Sequence, residues 1–134
     1  IADGYGTTDT VDGIHAIADS AGNDLIRLDG DYRNANGGEY FEVRLTGGND
    51  TVDFTGAGLQ ARVTYRDAAD GVIVDLAAGT AVDANTNDDP LHPPGDDIGT
   101  DTLINVNHVR GSDFDDTLTG NDGDNRFRGH AGNY

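Results

Sequence analysis

The chain has 134 residues, enough for one domain with a modest core, and no cysteine to staple that core or to bind metal as thiolate. Hydrophobic residues make up 35% and aromatics 7%, which excludes a thick core. A formal net charge of −17 argues against nucleic acid and anionic membranes as partners, and no apolar run is long enough for membrane insertion.

Low hydrophobicity with high charge is also the composition of disorder. The kind of acidity argues otherwise: of the 25 acidic residues, 23 are Asp, and only Glu39 and Glu42 are Glu. A merely solvated acidic face would use Glu as readily. Asp makes turns through its short carboxylate and is a hard oxygen ligand, so cations are the natural partner.

In chain order, a five-residue pattern recurs: Gly or a substitute, any residue, Asp or Asn, any residue, then an apolar residue. Thr7-Thr8-Asp9-Thr10-Val11 is a weak first copy, followed by Gly22-Asn23-Asp24-Leu25-Ile26. Glu39 to Leu45 alternates as a strand should, and Gly48-Asn49-Asp50-Thr51-Val52 repeats the pattern. Ala61 to Tyr65 reads as another strand, and Gly71 to Ala81 as a strand and turn. Residues 83–97, rich in Asp, Asn and Pro, read as a mobile loop protruding from the body of the domain. Gly99-Thr100-Asp101-Thr102-Leu103 restores the pattern. Phe114-Asp115-Asp116-Thr117-Leu118 and Gly123-Asp124-Asn125-Arg126-Phe127 continue it.

Toward the C-terminus the period becomes strict. Gly111, Gly120 and Gly129 are nine apart, as are Val109, Leu118 and Phe127. Nine residues with one inward apolar position suit a tight loop and a very short strand, and two such half-turns make one rung of a flattened coil with parallel strands. Each rung buries its face only against its neighbours. The expected architecture is therefore all-β: a right-handed parallel β-roll or β-helix solenoid in a single domain, 1–134. Irregular rungs occupy 1–60, rungs with the inserted loop 61–110, and nonapeptide repeats 111–134.

The stretch Gly111–Asn133 resembles the hemolysin-type, or RTX, calcium-binding repeat of secreted bacterial proteins. The approach segment Gly99–Ser112 is similar to the lead-in of such repeats, and Gly71–Ala81 shares the likeness. The resemblance implies Ca²⁺ held by the Asp at the sixth nonapeptide position together with loop carbonyls. Matched residue by residue, that position is Asp116 and then Asn125, and the third position is Asp113 and then Asp122. Tyr134 replaces the acid of the third copy, which leaves the last loop incomplete. The short motif adds Asp24, Asp50 and Asp101 as equivalent ligands. Asp3, Asp19 and Asp67 lie outside it and read as ordinary turn residues.

The resemblance further implies a secreted module, extracellular or at the cell surface, that leaves by type I secretion and folds outside on binding Ca²⁺. Its parent is then a protease, lipase or alginate epimerase, or else an adhesin, surface layer or filament built by like subunits meeting end to end. An enzyme in its own right is not expected. His15, His92, His108 and His130 have no zinc spacing, and there is no HExxH, Ser–His–Asp order or phosphate loop. Asp89-Pro90 matches the aspartyl-prolyl bond at which some such proteins cut themselves, but one dipeptide does not predict cleavage. Stacked acidic loops at strand spacing repel one another, so the chain without a cation is expected to be expanded or unfolded.

Overall fold

The computed structural model describes residues 16–30, 41–57, 61–84 and 98–132, and there the chain is all-β, with eleven strands and no helix. The early repeat at Thr7–Val11, residues 85–97 of the expected loop, His15, His92 and Tyr134 lie outside those residues.

The strands are β1 Ala16–Ala18, β2 Leu25–Gly30, β3 Phe41–Arg44, β4 Thr51–Ala57, β5 Ala61–Thr64 and β6 Val72–Asp75, then β7 Thr80–Asp83, β8 Thr100–Ile104, β9 His108–Arg110, β10 Thr117–Thr119 and β11 Arg126–Arg128. From β1 to β6 and again from β8 to β11 the chain alternates between two sheets. One has the order β1-β3-β5-β9-β11 and is parallel throughout. The other has the order β10-β6-β7-β8-β4-β2. Val109, Leu118 and Phe127, nine residues apart, lie in alternate sheets.

Alternation along the strands builds the interior. In β3 Phe41 and Val43 are buried while Glu42 and Arg44 face outward. Ile17, Val43, Val63, Val109 and Phe127 then stack in one row across the five-stranded sheet. Ile26, Val52 and Leu103 form the matching row of the other sheet, and apart from Phe127 both rows lie in or against one hydrophobic cluster. At about 25 cal/mol per Å² of apolar surface, so thin a core gains little from each rung alone. Burial fades at the last rung, where Phe127 remains 37% exposed.

One segment departs from wholly parallel stacking. β7 runs antiparallel between β6 and β8. The cause is local: Asp75 closes a tight turn, accepting the Gly79 N–H at its carbonyl (2.8 Å) and the Ala78 N–H at its side chain (2.9 Å). The chain therefore folds back before crossing to the other sheet.

The Gly-x-Asp motifs form a stack of turns despite their uneven spacing. Leu25 pairs with Thr51 and Thr51 with Thr102, so Asp24, Asp50 and Asp101 fall in one column although 26 and then 51 residues apart. The irregularity lies elsewhere: in the lengths between turns, and in a register shift between Arg27 and Asp29. The turns touch through glycine. Gly99 has φ +73°, and a side chain there would overlap the Gly48 carbonyl oxygen. Gly99→Ala is expected to destabilise the fold by about 2 kcal/mol or more through combined strain and overlap, read as a lowered unfolding midpoint with Ca²⁺ present.

Candidate metal centre

The stacked turns hold one another through their aspartates. Asp50 Oδ1 accepts the Asp24 N–H at 2.8 Å, and Asp101 Oδ1 accepts the Asp50 N–H at 2.9 Å. A parallel ladder of amides runs beside it: Asn23 accepts the Asn49 N–H and Asn49 accepts the Thr100 N–H, each at 2.9 Å. The middle of the motif thus serves the fold before it serves any ligand.

What distinguishes the three aspartates is the partner of the second carboxylate oxygen. One residue beyond the paired ends Ala18, Arg44 and Thr64 stand Asp19, Leu45 and Tyr65, a second column. Tyr65 is fully buried, and its hydroxyl donates to Asp101 Oδ2 at 3.0 Å. Asp24 Oδ2 accepts from the Ser20 N–H and hydroxyl, both at 2.8 Å. Asp50 lies between them in the stack. Its Oδ2 is buried with no hydrogen-bond partner, and the residue is 1% exposed.

Asp19 completes the group. Its carboxylate is held by Thr46, whose N–H and hydroxyl donate at 2.9 and 2.6 Å. Asp19, Asp24 and Asp50 each bring an oxygen within 4.8 Å of the others, the one such cluster among the described residues. Burial pushes the Asp50 pKa up to about 8; the Asp24 N–H opposes this, and the carboxylates of Asp19 and Asp101 reinforce it. Burial likewise raises Asp101 to about 6, against its hydrogen bonds from the Asp50 N–H and Tyr65. An orphaned buried oxygen facing two further carboxylates is a poor arrangement for a chain alone, and a cation fits it. The donors are all hard oxygens, with no His or Cys among them, so the cluster could hold a metal ion of the carboxylate-binding kind.

Of the residues expected from sequence, Asp24 and Asp50 lie in this cluster and Asp101 adjoins it. Asp116 is buried in another turn, where both oxygens are engaged: by the Ser112 N–H and hydroxyl and, across the stack, by the Val72 N–H at 3.0 Å. Asp113 is exposed and partnered by His130, and Asp122 is exposed. Asn125 is tied into its own loop through Asn121 and Gly123. Asp19, which reads from sequence as an ordinary turn residue, is the member that sequence reasoning missed. Sequence held no signal for it, because the column that joins it to Leu45 and Tyr65 exists only once the strands pair.

No protein-family model, curated protein or solved structure matches the chain.

Proposed function

We propose that the protein is a calcium-stabilised structural module, with Asp19, Asp24 and Asp50 holding a Ca²⁺ ion that fixes the stacked turns. The observation that carries this reading is the buried, unpartnered Oδ2 of Asp50 beside two other carboxylates. Ca²⁺ takes six to eight oxygens in flexible geometry, which suits carboxylates supplemented by loop carbonyls and water better than the strict octahedron of Mg²⁺ does. Because the ligands come from two turns distant in sequence, ion binding is folding free energy.

Strands alternating between two sheets, in-register Gly-x-Asp turns and the nonapeptides from Gly111 support the reading of the chain as an RTX-type β-roll, wound right-handed. In that reading it is exported unfolded where calcium is scarce and folds outside the cell, as part of a larger secreted enzyme or surface protein. A filament or surface-layer subunit is the second reading. Its support is β11, which ends the five-stranded sheet with no further strand beside it among the described residues and leaves Phe127 partly exposed.

The test is a Ca²⁺ titration of the metal-stripped chain followed by far-UV circular dichroism, with Mg²⁺ as control. A cooperative gain of β signal with Ca²⁺ alone is expected. At a hundredfold excess over Kd the ion should add about 2.7 kcal/mol. A chain equally folded in chelator and indifferent to Ca²⁺ would sink the proposal.

A further inference from the structure

The five-stranded sheet turns a different chemistry outward. With Val43, Val63 and Val109 directed into the core, alternation leaves Arg44, Arg62, Arg110, Arg126 and Arg128 on the outer face, and Arg66 follows just beyond β5. Six of the eight arginines in a chain of net charge −17 are therefore collected on one face. Glu42 and Asp67 pair with part of the group: Arg62 meets Glu42 at 2.5 Å, and Arg44 meets Asp67 at 3.1 Å. Arg110 and Arg128 stand directly opposite each other on neighbouring strands, a pairing of like charges that destabilises a sheet. The Nε of Arg110 is buried with no hydrogen-bond partner. Burial lowers the pKa of this arginine; Glu42 counteracts the shift, and Arg128, Arg62 and Arg66 add to it.

A fold that carries such a row against its own stability and against the sign of the whole chain points to an anion on the row. We propose that the outer face of the five-stranded sheet binds a linear acidic polysaccharide lying across the strands, its carboxylates or sulfates meeting the row of Arg110 and Arg128 and the arginines beside it. Neighbouring strands lie about 4.8 Å apart along such a row, which runs in register through Arg44, the buried Thr64, Arg110 and Arg128. Arginine meets planar oxyanions with two parallel hydrogen bonds. Among the described residues the outward positions of these strands hold Arg, Glu, Thr, His and Ala, with no aromatic or large apolar side chain. A protein interface would need such anchors at its centre, and single-stranded nucleic acid would need stacking platforms. The charge of the remaining surface does not prevent contact, because at physiological salt it is screened beyond about 8 Å. This inference rests on the sheet alone and does not depend on the metal centre.

The experiment uses the full chain in Ca²⁺ with chondroitin sulfate as probe, read by affinity electrophoresis and calorimetry. Arg110→Gln/Arg128→Gln is expected to weaken binding at least tenfold, while Arg27→Gln on the other sheet leaves it within twofold. Circular dichroism checks each fold, and Arg126→Gln, at an exposed position, stands in if the double variant does not fold. Absence of binding by the unaltered chain, or binding unchanged in the variants, overturns the proposal. Duplex DNA held as tightly with the same arginine dependence would assign the face to nucleic acid instead. Self-association that vanishes in the variants without any polymer would assign it to a second copy.

Discussion

Asp50→Asn is expected to act in opposite directions with and without calcium. In the metal-stripped chain the variant should be more folded than the parent, because it removes the ionisable group that burial most opposes. The amide keeps an oxygen for the Asp24 N–H and turns two donors toward Asp19 and Asp24, so the orphaned position gains a partner. In Ca²⁺ the order should reverse, since the cluster loses a charged ligand. Even partners outside the coordination shell cost about 10–100-fold in metal affinity, so the Ca²⁺ midpoint should rise by about a hundredfold or more. Circular dichroism in chelator and across a Ca²⁺ titration reads both effects. A variant less folded than the parent in chelator, or one that keeps the parent's midpoint, would show that Asp50 is not a ligand.

Sequence carried the elements of this fold further than it carried the site. The apolar residue two places after each acid was legible as an inward position, and Ile26, Val52 and Leu103 occupy one row of the core. The strands read at Ala61–Tyr65 and within Glu39–Leu45 are β5 and β3, because period-two alternation is a local signal. The reversal at β7 was not legible as such: a strand and turn can lead to either sheet, and hydrogen bonds at Asp75 and Gly79 decide it. The centre was half visible. Asp24 and Asp50 announce themselves by motif, but their difference from Asp101 lies in the second carboxylate oxygen, which meets Ser20 in Asp24, no donor in Asp50 and, from the second column, Tyr65 in Asp101. That column joins Asp19, Leu45 and Tyr65, which are 26 and then 20 apart, and no period relates them before the strands pair. Asp116 carries the family-like pattern, yet its oxygens are spent on Ser112 and Val72. A motif fixes residue type and leaves open which carboxylate is still unsatisfied after folding.

The second large effect is a pH dependence whose sign depends on the ion. With its pKa pushed up to about 8 from an ordinary 3.8, Asp50 holds a proton in the folded chain that it has released in the unfolded one. Between those values the folded state binds more protons, so stability falls as pH rises. Asp101, raised to about 6, adds to the same slope over the lower part of that window. Asp53, held low by Thr55, works the other way only below its ordinary value of 3.8. Ionising Asp50 without a cation therefore costs the fold stability. Metal-stripped protein should therefore be more folded at pH 5 than above pH 8, on the scale those pKa values set. Ca²⁺ favours the ionised carboxylates, so in its presence stability should instead rise across that range as the ligands lose their protons. General relief of repulsion at low pH affects every aspartate, and Asp50→Asn separates the two: the metal-stripped variant should lose much of the slope between pH 5 and 8. Thermal melts at both pH values, with chelator and with Ca²⁺, decide it. Ion-free stability that climbs with pH would mean that Asp50 is ionised in the folded chain without help, and the case for a cation beside it would fail.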